Sequence, residues 1–196
     1  MDDAFLERWL ESVLETPGLT SLATMEDARR VLLEDALRAL PIVDASHGPV
    51  IDVGSGGGSP GIPLAVALPE RRFTLLEAAR RKADLLTRFA SGLPNVEVVW
   101  GRAEEAEPDR FGVSLAKALA KPPVAAELCL PLVRPSGIAI LWVGETADRE
   151  PVARVAESLA SELGEGPEGL IVLRKLGATP AGFPRRVGMA KKRPLA

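Results

Sequence analysis

The stretch Val50-Ile51-Asp52-Val53-Gly54-Ser55-Gly56-Gly57-Gly58-Ser59-Pro60-Gly61 decides the fold. An apolar run carrying the acid Asp52 leads into glycines at every second position, Gly54, Gly56 and Gly58, and an apolar helix-like stretch follows from Pro60. The pattern predicts a strand, a tight turn and a helix opening over a ligand. Glycine suits such a turn because it accepts positive φ and lets a ligand approach the backbone. A second acid, Glu77, closes the next strand-like run, Phe73–Leu76. An acid about 20 positions past such a loop holds a ribose in dinucleotide-type folds.

Three nucleotide-binding loops can be compared with this one. A P-loop needs Gly-Lys-Ser/Thr at its end, and no lysine is present. The dinucleotide fingerprint G-x-G-x-x-G needs a third glycine where Ser59 stands. The observed acid-x-G-x-G-x-G resembles motif I of S-adenosylmethionine (SAM) methyltransferases. That cofactor carries a sulfonium and an ammonium and no phosphate, so an acid near the loop answers its charge.

Outward from the loop, strand and helix patterns alternate. Strands are predicted over 50–53, 73–76, 96–100, 111–115, 138–143 and 169–174, and helices over 60–68, 79–91, 122–133 and 145–163. Alternation of this kind implies an α/β fold with a mostly parallel sheet and helices on both faces. Ligands then sit at the carboxyl ends of the strands. Before the loop, Phe5, Trp9, Leu10, Val13 and Leu14 form one helical stripe, and Val31, Leu32, Ala36, Leu37 and Leu40 a second, closed by Pro41. Thr24 and Asp27 resemble a capping box. The chain is expected to be one domain over 1–196: a short helical N-terminal prefix (1–43), a cofactor-binding core (50–176) and a basic C-terminal segment (178–196).

Composition limits the function classes. The 196 residues are 46% hydrophobic and 26% charged with net charge −3, values of an ordinary globular chain and not of a general polyanion binder. No apolar run reaches the roughly 18 residues of a membrane span, and a cytoplasmic location is the expectation. One cysteine, Cys129, excludes an internal disulfide and a cysteine zinc cluster. It lies in an apolar helical stretch and reads as core. The lone His47 sits in a linker and reads as solvated. There is no sign of a metal site. From Ala178 to Ala196 the chain carries Arg185, Arg186, Lys191, Lys192 and Arg193 and no acid, the pattern of an RNA phosphate footprint.

Taken in order, Asp52 to Ala65, Leu75-Leu76-Glu77 with Arg81-Lys82, Gly101-Arg102-Ala103-Glu104-Glu105, and Phe183-Pro184-Arg185-Arg186 with Gly188 and Lys192-Arg193-Pro194-Leu195 resemble the RsmG/GidB family. These are bacterial SAM-dependent methyltransferases that act on guanine N7 in small-subunit ribosomal RNA. The resemblance implies a Rossmann-like SAM-dependent methyltransferase fold. It implies that Asp52, Gly54, Gly56 and Gly58 hold the methionine end of SAM, Glu77 the ribose, and Ala103 and Glu104 the adenine. It places Lys117, Arg185, Arg186, Lys191, Lys192 and Arg193 on the side of the RNA or small ribosomal subunit, and a monomer is the default. Lys117 is the only catalytic candidate, because N7 attack requires no general base. The chain departs from the family pattern at Lys117, where arginine is common, and at Val143 and Leu32. A paralog that binds SAM without efficient transfer, and a small-molecule methyltransferase, therefore stay open as alternatives.

Overall fold

A computed structural model describes residues 2–144 and 146–196. Its centre is β1 (Val50–Val53), buried at every residue. A continuous apolar run of this kind suits a strand covered on both faces. On one side lie β2 (Phe73–Glu77) and β3 (Val96–Trp100), and on the other β4 (Phe111–Lys117) and β5 (Val133–Trp142). These pairings are parallel. Beyond β5 come β6 (Ser161–Leu163) and β7 (Leu170–Lys175). The order is β3-β2-β1-β4-β5-β7-β6, with β7 antiparallel to both neighbours. An antiparallel strand inserted next to the last one separates this sheet from the 3-2-1-4-5-6 order of dinucleotide folds.

The sheet corrects three expectations. The helix expected over 145–163 is shorter: α8 covers Glu150–Ser158, with Pro151 in its first turn. Position 145 lies outside the described residues. The end of that stretch is β6, whose Ser161, Glu162 and Leu163 pair with Lys175, Arg174 and Leu173. Three residues are too few to show a period of two. Finally, Pro135-Ser136-Gly137 reads as a turn, yet β5 runs through it. The register shifts between Phe111 and Val113, and Ser136 takes φ 65°. The extra residues form a bulge, which absorbs a turn-like sequence inside a strand.

The prefix begins with α1 (Asp3–Glu15), capped by the Asp2 side chain and buried along Leu6, Trp9, Leu10 and Val13. Thr24 caps α2 (Met25–Ala28) by accepting from the Asp27 amide at 3.1 Å. The chain continues as a π-helical turn, Arg29–Glu34, then α3 (Asp35–Leu37) and α4 (Leu40–Asp44). A π turn adds a residue to the helical repeat, and the buried face here is Ala28, Leu33, Ala36, Ala39 and Val43. Val31 and Leu32, expected in the core stripe, are only half-buried, with Leu32 at the edge of the core. Pro41 opens α4 instead of ending the preceding helix.

Three carbonyls of this segment accept from side chains of the main body. Ser59 Oγ donates to Leu32 O at 2.7 Å, Trp142 Nε1 to Asp35 O at 3.0 Å, and Lys117 Nζ to Val31 O. Those donors come from the glycine loop and the ends of β5 and β4, so the prefix is stitched to the carboxyl rim of the sheet. The remaining helices, α5 (Gly61–Ala67), α6 (Arg80–Phe89) and α7 (Pro122–Cys129), follow β1, β2 and β4, and α9 (Met189–Lys192) ends the fold. Replacing Trp142 by Phe keeps the ring in the core and removes its hydrogen bond to Asp35. The expected cost is about 1 kcal/mol in urea denaturation. Amide exchange over 29–37 should quicken while β1 and β4 keep their protection.

Candidate cofactor and substrate cleft

A cleft of about 550 Å³ opens at the carboxyl ends of β1, β2 and β4. That volume is in the range of small-molecule sites. Its floor is the turn from Val53 to Ser59. The Gly54 and Ser55 amides both donate to Leu76 O, at 2.8 and 3.1 Å, which pins the turn to β2. Gly54, Gly56 and Gly58 all take positive φ. At Gly56 an added Cβ would meet only Gly54 O at 3.8 Å, so the backbone there faces open cleft. Gly58 serves differently. Its missing Cβ leaves room for Ile62 Cδ1, 2.4 Å from where that atom would lie, and Gly58 is not on the cleft wall. Its neighbour Gly57 accepts at 2.9 Å from Trp9 Nε1, which ties α1 to the same turn.

Glu77 closes the second side. Its Oε2 accepts from the Gly56 amide at 3.0 Å and its Oε1 from the Ala79 amide at 2.7 Å. The carboxylate is buried yet lines the cleft. Two backbone donors fix it, and each oxygen keeps a further lone pair for a ligand hydroxyl.

Asp52 does not reach the cleft surface. It lies beneath the turn, where Oδ2 accepts from the Gly61 amide at 3.1 Å and Oδ1 has no partner. A Cβ on Gly61 would lie 2.8 Å from Asp52 Oδ2 and 2.3 Å from Leu75 Cδ2, so the start of α5 presses directly on the acid. Burial pushes the Asp52 carboxyl up from 3.8 to about 7. The Gly61 hydrogen bond and the Lys117 charge pull it back, and the Glu77 charge adds to the rise. Asp52 therefore presents no side-chain atom to the cleft and shapes the turn through the Gly61 amide.

Ala103 is buried on the cleft wall in the 3-10 turn Ala103–Glu105, and Glu104 Oε1 accepts from the Gly188 amide at 2.9 Å. Lys117, at the end of β4, also lines the cleft; its Nζ lies 2.7 Å from Asp35 Oδ2. The tail residues part company. Arg186, Lys192 and Arg193 are exposed, and Lys191 is exposed at the rim. Arg185, expected among the phosphate contacts, turns inward. Its Nε and Nη2 donate to Glu127 Oε1 and Oε2 at 2.6 and 2.7 Å, and Nη2 also donates to Arg193 O at 2.8 Å. That guanidinium is neutralised within the protein. Sequence reasoning missed Glu127, along with Lys82 on the wall. A lone acid in an otherwise apolar helix was the available signal for Glu127.

The residues fit SAM. The open backbone at Gly56, the fixed carboxylate of Glu77, the buried wall at Ala103 and the orphaned Asp52 Oδ1 under the turn together suit a nucleoside joined to a cationic amino acid. Cys129 is buried, and burial raises its thiol to about 12, so it offers no nucleophile.

Asp52 should leave a pH signature in the cofactor-free chain. Between about pH 4 and 7 the unfolded chain releases this proton while the folded chain keeps it. The unfolded state then binds fewer protons, and stability falls as pH rises through that window. The slope contributed approaches about 1.4 kcal/mol per pH unit and flattens above the folded value of about 7. Asp52→Asn should remove this component. Urea titrations from pH 4 to 8 check it: the two curves should converge at low pH and separate above it, whereas parallel curves contradict it.

The family model described as rRNA small subunit methyltransferase G matches residues 5–164. The ribosomal RNA small subunit methyltransferase G of Rubrobacter xylanophilus is 38% identical over 204 residues, covering 91% of this chain and 74% of that protein. Its counterpart in Synechococcus elongatus is 37% identical over 173 residues, covering 79% and 72%. Among solved structures, a SAM-dependent O-methyltransferase from Thermotoga maritima shares the fold, with a TM-score of 0.62 at 15% identity over 88% of this chain and 72% of its own. Fold, cleft and sequence agree, and the chain belongs to the GidB family, rRNA small subunit methyltransferase G.

Proposed function

We propose that the chain transfers a methyl group from SAM to N7 of a guanine in small-subunit ribosomal RNA. The observation that carries this is the make-up of the cleft beyond the glycine turn. Its walls there are Val31, Leu32, Lys117, Ala118 and Leu119. They offer neither an imidazole nor a thiol, and the chain has no tyrosine. Guanine N7 asks for none of these. Its lone pair is free in the neutral base, so no proton has to be removed before attack. SAM held there would supply the electrophilic methyl, the N7–C bond forming as the C–S bond broke and a thioether departed.

The protein's contribution is then alignment and exclusion of water. The turn and Glu77 fix one partner. The π turn, rotated so that Val31 and Leu32 face the cleft, roofs the other. Transfer leaves the guanine ring cationic, so positive charge arrives near Lys117. Asp35, 2.7 Å from Lys117 Nζ, keeps that end close to neutral. The exposed Arg186, Lys191, Lys192 and Arg193 supply phosphate contacts, which position an RNA without reading its sequence.

The test is transfer from labelled SAM to small-subunit RNA from cells lacking the protein, followed by nucleoside analysis. A 7-methylguanosine product is expected. Cofactor binding with no such product would contradict the proposal and favour a paralog without transfer. Asp35→Asn should leave Lys117 uncompensated and lower kcat about tenfold, equivalent to about 1.4 kcal/mol. Its Kd for SAM should stay within about twofold by calorimetry.

A further inference from the structure

The C-terminal segment is held by two contacts to the main body and one within itself. Arg185 makes its fork-to-fork pair with Glu127 of α7, whose side chain is only 3% exposed. The same guanidinium holds Arg193 O, which closes the segment on itself. Across the cleft, the Gly188 amide donates to Glu104 Oε1. Gly188, Ala190 and Lys191 then line the cleft beside Ala103, with Ala190 buried. Phe183 packs on the core at one end, and α9 packs on α7. Arg186, Lys192 and Arg193 face solvent.

We propose that residues 183–193 form a wall of the cofactor site, and that Glu127 is the positioning residue that holds this wall in place. Glu127 lies on neither the cleft surface nor the exposed basic face. It acts through Arg185, and Arg185 sets where Gly188 and Lys191 stand. This inference rests on the cleft being the SAM site. A carboxylate is suited to the task because both its oxygens accept from the planar fork, which fixes angle as well as distance. A glutamine turns one of those acceptors into a donor facing the guanidinium. A lysine at 185 keeps the charge and loses the fork. The outer basic residues ride on the same segment, so RNA and cofactor should tighten each other's binding by one common factor.

The test uses the full-length chain and S-adenosylhomocysteine as the probe, with no RNA in the first arm. In the wild type, the probe should slow tryptic cleavage after Lys191 and Lys192 several-fold. Glu127→Gln should weaken the probe's Kd about tenfold and abolish that protection. At saturating SAM its kcat should remain within about twofold of wild type, with the loss appearing in KM for SAM. A merely structural role would lower the unfolding midpoint and the active fraction without this split. Arg185→Lys should shift Kd and protection in the same direction, and it decides the matter if Glu127→Gln does not fold. An unchanged Kd in the folded variants, or equal cleavage with and without probe in the wild type, would overturn the proposal. Failure of methyl transfer to RNA would not affect this arm, so the two proposals fail separately.

Discussion

Between Asp52 and Gly61 the chain must turn from a buried strand into a buried helix with almost no room for side chains. That constraint organises the molecule. Beneath the turn, Asp52 occupies the space a Cβ on Gly61 would need, and it holds the Gly61 amide. Above it, Trp9 and Ile62 fill the space a Cβ on Gly58 would need. The backbone amides at Gly54 and Ser55 are consumed by Leu76 O, so the turn and the end of β2 move as one. Glu77 follows immediately and takes the Gly56 amide. The ligand-facing carboxylate and the ligand-facing backbone are therefore a single hydrogen-bonded unit, preorganised before any cofactor arrives.

The prefix completes that unit. A regular α-helix over 25–37 would keep one face in the core throughout. The π turn breaks the phase, presents Val31 and Leu32 to the cleft, and aims their carbonyls at Lys117 and Ser59, while Asp35 O at the start of α3 takes Trp142. Lys117 is thus held at the end of β4, on the cleft wall, by Val31 O and Asp35. Lysine makes these two contacts as a compact charge; a planar fork is not needed for them. At the other end the basic tail returns to the Ala103–Glu105 turn, so the cleft is bounded by elements from both ends of the sequence.

What the sequence made legible was short-range. The β1 strand, the three positive-φ glycines and Glu77 are fixed by local spacing, and each stands where that spacing put it. The parallel core followed from strand–helix alternation. The rest depended on distant partners or on single-residue shifts. β6 is stabilised by pairing with β7 and has no pattern of its own. Pro135-Ser136-Gly137 has turn chemistry, and only its neighbour β4 shows that it is a bulge. The π turn displaces a stripe by one residue, which periodicity over a short helix does not register. Arg185 sits in a run of basic residues, and its partner Glu127 is 58 positions away. Of the candidate site, the positions of Gly54, Gly56, Glu77, Ala103 and Glu104 on the cleft wall were legible; Asp52 and Gly58 off that wall, and the division of the tail into an inward arginine and outward ones, were not.

One preformed unit, the turn with Glu77, is proposed to receive the nucleoside. The most direct measurement is a crystal structure of the chain with S-adenosylhomocysteine. Ribose hydroxyls are expected on the Glu77 carboxylate with its Gly56 and Ala79 bonds intact, the amino-acid end over Gly54 to Gly56, and the base against Ala103 beside residues 188–191. A nucleoside bound elsewhere, or a Glu77 carboxylate that has let go of the Gly56 amide to reach it, would show that the turn and Glu77 are not a preformed receiving unit.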